Sequence, residues 1–448
     1  MKKVLSVLLI AVMLSAAVFA ASGDVNADGS INNKDVVALF KYASGNEAAV
    51  NNVDECDING DGSINNKDVV ALFRDVSGTA APVFEEPFYY PNNDVVNDFN
   101  FEGDKAEGFT GIYFVISRNT AHISPGERFQ VRFAAYHWRD IRVSVKDVDL
   151  EITKGKEHAT IDGKGVFTAK SVGEVEITAT LKADPTKTAK GTINITEPKE
   201  KNTMWQGSGT FRDPYLVSTA QDFLNIQKIS KYIDGLSEMD TCWFKQTNDI
   251  DFTGVDFEPG FFTHNYDGNG YKLKNITVDE TVDRCASVFG YAYYCVIKNV
   301  TVENFRYERH DTISAWEAAV FFGNTRGITA YNCHAVNAYI DITGNTGKTG
   351  CAGGLLAHEV FGGSYVNCST DAVVKGDYDV GGFYGTTEAY EGIFVNCKAT
   401  GTAEAVLYTD RCGGFTSQQI SYLTAIQFYN CSSVQYDQTL EVNNIVTE

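Results

Sequence analysis

The chain has 448 residues and a formal charge of −21, a balance that repels phosphate backbones and excludes nucleic acid as a partner. Forty glycines against eight prolines suit turn-rich β structure, and the length exceeds what one core organises, so two to four domains are expected. Ten cysteines would suggest disulfides in an exported protein, but nine of them lie beyond residue 240, several in one recurring context.

Met1-Lys2-Lys3 precedes an apolar run from Val4 to Phe19 and the small-residue site Val18-Phe19-Ala20. Residues 1–20 therefore read as an export signal, too short and wrongly flanked for a membrane anchor. The mature chain is expected to start near Ala21, to be secreted to the cell exterior, and to carry no membrane anchor.

A tandem repeat follows. Asp24–Gly45 reads DVNADGSINNKDVVALFKYASG and Asp57–Gly78 reads DINGDGSINNKDVVALFRDVSG, with 17 of 22 positions identical at a period of 33 residues. Each copy opens with a twelve-residue loop bearing oxygen donors at positions 1, 3, 5, 7, 9 and 12. These are Asp24, Asn26, Asp28, the carbonyl of Ser30, Asn32 and Asp35, then Asp57, Asn59, Asp61, the carbonyl of Ser63, Asn65 and Asp68. Gly29 and Gly62 stand at position 6, where such a loop turns sharply. Hard oxygen ligands in this number select calcium over magnesium, so two calcium ions are expected. Ile31 and Ile64 would pair the loops. Val36, Val37, Leu39 and Phe40, and their copies Val69, Val70, Leu72 and Phe73, are spaced like the apolar face of a helix closed by Gly45 or Gly78.

No helix precedes either loop, and position 12 is Asp. Loop-then-helix in duplicate resembles a type I dockerin over residues 23–78, within a domain spanning 21–80. The resemblance implies a small α EF-hand-like fold that docks on a cohesin module of a scaffoldin, in an extracellular cellulosome. It places Asn33, Lys34 and Lys41, with Asn66, Lys67 and Arg74, at the cohesin face. Copies so alike imply that either would serve.

Residues 81–111, rich in Pro, Asn and acid, read as linker. Alternation at Phe129, Val131 and Phe133, at Ile141, Val143 and Val145, and at Val175, Ile177 and Ala179 then predicts a β-sandwich over 112–198. Within it, Ala159–Thr180 (ATIDGKGVFTAKSVGEVEITAT) resembles bacterial immunoglobulin-like domains of the invasin/intimin type, which implies a spacer.

Residues 203–448 carry a second periodicity. Asn275, Asn299, Asn332, Asn367, Asn396 and Asn430 recur, four of them followed by Cys333, Cys368, Cys397 and Cys431, and Gly-rich segments such as Ala286–Gly290 and Gly381–Gly385 alternate with them. Repeats near thirty residues without helices predict a right-handed parallel β-helix with stacked asparagines and an internal stack of unpaired thiols. A helix is predicted over Gln221–Ile229. WQGSGT, NDIDFTG, DGNGYKLKNITV and the GGF-type strands resemble GLUG-motif β-helices found beside adhesins and IgA-peptidase-like proteins.

Aligning the coils just before the Gly-rich strands stacks Arg284, Glu317, Asp379 and Arg411, with Asp410 one residue earlier and Asn324 and His358 just after. Carboxylates a few ångströms apart beside Arg and aromatics suit polysaccharide chemistry. Two readings stand: a non-catalytic module binding polysaccharide or a cell surface, and a polysaccharide lyase or glycoside hydrolase. The GLUG resemblance favours the first.

Overall fold

The computed structural model describes residues 24–53 save 29; residues 56, 58 and 64–77; residues 109–197 save 115–116, 119, 136–140, 144–146 and 164; and residues 202–440 save 231–241, 280–284, 311–316, 345–349, 362, 388–391, 418–425 and 436–437. It divides into two units, residues 1–88 and 89–448.

In the first unit the two repeat helices form as expected, α1 over Asn33–Ala43 and α2 over Asn66–Ser77. Asn32 caps α1: its side chain accepts from Lys34 N at 2.9 Å, and Asp35 Oδ2 accepts from Asn32 N at 2.9 Å. The shared core is small, made of Val25, Ala38, Leu39, Val50, Cys56, Val69 and Leu72. Val37 and Phe40, expected on the apolar face, instead point outward, 51% and 54% exposed. Two short helices cover only one stripe of each other, here Asp35, Ala38 and Leu39 on α1. Ile31 is likewise exposed while Ile64 packs against the core, so the expected pairing of the two is not evident.

The second unit begins with β structure. Strand Phe109–Phe114 starts inside the stretch read as linker. Gly173–Leu181 is the best-formed strand: it pairs antiparallel with Thr188–Ile195 and Val148–Lys154, burying Val175, Ile177, Ala179 and Leu181 on one face. Thr120–Ile123 joins this sheet in parallel, beside a second four-stranded and a three-stranded sheet. The immunoglobulin-like arrangement expected from the sequence is not evident in these sheets.

From Tyr215 onward the chain is a parallel β-solenoid. Equivalent strands of successive coils pair in register, as in Cys285–Ala286, Glu317–Ala319, Cys351–Gly353, Val380–Gly381 and Cys412–Gly413, a five-stranded parallel sheet. One continuous core runs from Trp205 to Cys431. Phe289, Phe321, Leu355, Phe383 and Phe415 follow one another inside it through backbone bonds, with Phe383 and Phe415 stacked at 4.7 Å. Helix α3, Ala220–Ile229, is capped by Thr219 and Asp222 and inserts Phe223 and Ile226 into the core.

Asparagine sits at the corners because it tolerates the left-handed conformation there: Asn275, Asn299, Asn304, Asn332, Asn337, Asn367, Asn396 and Asn430 all have φ between +52° and +61°. They form two ladders rather than the single one expected. Asn332 donates to Asn299 at 3.1 Å, Asn396 to Asn367 at 3.1 Å and Asn430 to Asn396 at 2.8 Å. Asn275 belongs to the other, accepting from Asn304 at 2.8 Å, which in turn accepts from Asn337 at 2.6 Å.

All ten cysteines are buried and none forms a disulfide. The register His334↔Ser369↔Lys398↔Ser432 places Cys333, Cys368, Cys397 and Cys431 in one internal column, with Sγ of Cys368 3.3 Å from Val366 O and Sγ of Cys397 3.3 Å from Tyr365 O. Burial pushes the Cys333 and Cys397 thiols well up; the same burial acts on Cys368, whose hydrogen bonds to its neighbours in the stack pull the other way.

Candidate functional site

Three places carry polar chemistry. The first calcium loop closes on its own oxygens. Asp28 N donates to Asp24 Oδ1 (3.1 Å) and Asn26 Oδ1 (2.8 Å), and Ser30 N to Asp28 Oδ1 (3.0 Å). Ala27, at φ +58°, makes the turn. Asp35 is fully buried at the start of α1 and accepts from Asn26 N at 3.1 Å and Asn32 N at 2.9 Å. A carboxylate is well placed at a helix N-terminus, yet the groups it accepts from are backbone amides, which leave its buried charge without full compensation. A divalent cation fits that need, and the donor set of Asp24, Asn26, Asp28, Ser30, Asn32 and Asp35 is all oxygen, as calcium requires. Among the described residues, no three His, Cys, Asp or Glu side chains converge at metal-binding distances. Asp28 Oδ2 also meets Lys34 Nζ at 3.5 Å across an exposed surface. In the second loop Asp68 is fully buried and accepts from Asn65 N at 2.8 Å; Asp57, Asn59, Asp61 and Ser63 lie outside the described residues.

Beside the first loop, the outward face of α1 presents Asn33, Lys34 and Lys41, all exposed. With Val37 they border a shallow groove of about 670 Å³. Asn66 is exposed at the corresponding place on α2, where Phe73 is 47% exposed; the side chains of Lys67 and Arg74 lie outside the described set.

The second place is a column on the solenoid. Cys285 pairs with Glu317 and Glu317 with Cys351. One residue before the pairs Ala352↔Val380 and Val380↔Cys412, the same column continues through Asp379 and Arg411. The sequence alignment had put Arg284 at its head; that residue lies outside the described set, and the register gives the place to Cys285. Glu317 Oε1 is 2.9 Å from His358 Nδ1 and accepts from Asn324 Nδ2 at 2.8 Å. Asp379 Oδ2 accepts from Arg411 Nη2 at 3.2 Å. Arg411 Nε lies 2.8 Å from Asp379 Oδ1, but the pair is too poorly aligned for a hydrogen bond and that oxygen is buried without one. Burial pushes the Asp379 carboxyl up to about 6 against the pull of His358. Asp379 also has φ +38°, left-handed backbone that Asp, like Asn, tolerates better than most residues other than Gly. Asp410 is exposed on the turn Thr409–Arg411 and is not among the described groups that meet Asp379.

Arg411 lies over the Tyr378 ring at 3.7 Å, and Tyr408 packs edge-on against the same ring at 4.7 Å while remaining 49% exposed. Sequence alignment found Glu317, Asp379, Arg411, Asn324 and His358; it missed Tyr408, which lies three residues before the column, and both column thiols.

The third place is an open groove of about 750 Å³ across the corners of several coils, bordered by Asp256, Asn275, Asn304, Asn337 and Tyr339. Arg306 lies over the Tyr339 ring at 4.9 Å. Each ladder bond uses one N–H of the Asn304 or Asn337 amide.

Compared with known proteins, residues 22–77 match the family described as "Dockerin type I domain". A search of curated proteins gives no match. Among solved structures the chain is similar to an IgA1 protease at a TM-score of 0.29 and 14% identity, over 70% of this chain and 25% of that one. This chain thus spans a quarter of that protein's length, and so slight a likeness carries no argument about fold or function. Type I dockerins in general bind calcium and cohesin modules. The chain carries a dockerin type I domain at residues 22–77, ahead of a parallel β-solenoid.

Proposed function

We propose that this protein is secreted, docks through its dockerin onto a scaffoldin cohesin, and presents the solenoid to a polysaccharide. Asp24, Asn26, Asp28, Ser30, Asn32 and Asp35 hold one calcium ion, and Asp57, Asn59, Asp61, Ser63, Asn65 and Asp68 the other. The observation that carries docking is the outward face of α1, where Val37 and Phe40 are more than half exposed beside Asn33, Lys34 and Lys41. Exposed apolar residues ringed by polar ones suit a protein partner. The module over 112–198 acts as an immunoglobulin-like spacer, and the solenoid is right-handed, as parallel crossovers nearly always are. Polysaccharide binding is supported by the open groove bordered by Asn304, Asn337 and Tyr339, whose amide and phenol groups suit a hydroxyl-rich ligand.

The docking test compares the Asn33→Ala/Lys34→Ala variant, the Asn66→Ala/Lys67→Ala variant and their combination against a panel of type I cohesins in calcium. Near-identical helices predict that either pair alone weakens binding only severalfold and that the combination abolishes it. Abolition by one pair alone would show that the two copies are not interchangeable.

A further inference from the structure

We propose that the open groove over the solenoid corners binds a neutral β-1,4-linked pyranose chain lengthwise, about one ring per coil, and rejects polyanionic chains. The inference rests on the polysaccharide-binding reading above and names the class of chain.

The groove follows the solenoid axis, because both lines of side chains along it are set by the coil register. Thr277, Arg306, Tyr339 and Val373 pair in that order through successive coils and form one line. These four rungs, at about 4.8 Å each, span roughly 14 Å. Asn275, Asn304 and Asn337 form the other, joined amide to amide at 2.8 and 2.6 Å. Thr277, Asn304, Arg306 and Asn337 are exposed. A β-1,4-linked chain is an extended ribbon whose rings advance by nearly one rung each, so its hydroxyls meet equivalent amides in successive coils. An α-1,4-linked glucan curls and cannot follow a straight row. Arg306 is already held over the Tyr339 ring at 4.9 Å, and the Tyr339 hydroxyl donates to Asp341 Oδ2 at 3.0 Å. Little freedom in these two side chains is left to lose when a sugar chain lies down on them.

The charges around the groove select a neutral chain. Asp256 and Asp279 border it, brought to one end by the pairing of Phe257 with Val278. Asp251 Oδ1 accepts from Asn275 Nδ2 at 2.9 Å, and Asp371 Oδ1 accepts from Asn337 N at 2.6 Å. Carboxylates therefore flank the asparagine line at both ends. Among the described residues bordering the groove Arg306 is the one cation, and Glu308 pairs with it. A uronate or carboxymethyl group laid along this line would meet like charge at short range, a cost that salt only partly screens. A sugar hydroxyl meets no such cost, since each amide both donates and accepts.

The test titrates the full calcium-loaded chain calorimetrically with hydroxyethyl cellulose, carboxymethyl cellulose and soluble starch, and with β-1,4-linked gluco-oligosaccharides from dimer to hexamer. Hydroxyethyl and carboxymethyl cellulose share one backbone and differ in charge; starch is neutral and differs in linkage. The expected result is binding of hydroxyethyl cellulose roughly tenfold or more tighter than of either other polymer at low salt. Oligosaccharide affinity should rise to about the tetramer, one ring for each of the four rungs, and level off beyond it. Thr277→Trp, which fills the groove from an exposed position, should weaken hydroxyethyl cellulose binding by roughly tenfold or more. Carboxymethyl cellulose or starch bound as tightly as hydroxyethyl cellulose sinks this inference and leaves polysaccharide binding standing; binding of none of the polymers sinks both. A dimer that binds as well as the hexamer overturns lengthwise binding, and unchanged binding in folded Thr277→Trp overturns the groove as its place. The polymer and oligosaccharide comparisons are read on the unaltered chain, so they decide even where the variant fails to fold.

Discussion

Cys333, Cys368, Cys397 and Cys431 show how a residue's role follows from its stacking partners. In the solenoid each coil repeats about 4.8 Å above the last, so a thiol at one rung meets a thiol at the next, buried and facing backbone carbonyls such as Val366 O. Adjacent parallel strands direct such side chains alongside one another rather than at each other, which suits packing and not a disulfide. Native protein should therefore show few reactive thiols, and all ten after denaturation without reductant. A count near zero in denaturant would refute the stack. The corner asparagines follow the same logic, since their amide edges repeat in register. The recurrence of Asn-Cys revealed this column in the sequence. It did not reveal that Asn275 belongs to the other ladder, because 24 residues separate it from Asn299 and only the pairing of Lys272–Lys274 with Thr301–Glu303 shows which corner it occupies.

Between elements, one contact was invisible in the sequence because its partners lie 116 residues apart. Glu127, on the turn before strand Arg128–Gln130, accepts from Trp243 Nε1 at 2.8 Å and from Ser124 N at 2.7 Å. It is buried where the β module meets the start of the solenoid. Phe211 packs edge-on against Trp243, and Lys298 Nζ lies 5.2 Å over the Trp243 ring while pairing with Asp267 at 3.3 Å. Any side chain at Gly126 would strike Arg212 and Phe211. Burial raises the Glu127 carboxyl to about 7, with hydrogen bonds from Ser124 and Trp243 and the charge of Lys298 pulling it down. In the unfolded chain the same carboxyl titrates near 4.5, so between those values the folded state binds more protons. Stability should fall as pH rises from about 4.5 to about 7 and stay lowered above, by on the order of 3 kcal/mol. Glu127→Gln keeps an oxygen acceptor for Trp243 and Ser124; it should flatten this part of the stability–pH curve in urea melts and stabilise the protein at pH 8. An unchanged slope would show that Glu127 is not the group responsible.

At the scale of the whole chain, what the sequence made legible is what repeats. Seventeen identities in 22 positions exposed the calcium module, and the Gly-rich and Asn-Cys recurrences exposed the coils, because stacked copies of one environment select the same residue types. The β module repeats nothing, and its alternation predicted strands such as Gly173–Leu181 without fixing how the sheets assemble. The outward turn of Val37 and Phe40 was hidden for a related reason: helical spacing marks an apolar face but not whether a fold or a partner covers it. In a module whose core holds seven buried apolar residues among those described, the bound ion is expected to supply much of the folding free energy, so calcium should govern both the module's fold and its docking. The most direct test is calorimetric titration of the full chain with a type I cohesin, in millimolar calcium and again in excess chelator. Tight one-to-one binding in calcium and none in chelator is the predicted result; equal affinity in both, or no binding in calcium to any type I cohesin, would contradict the account.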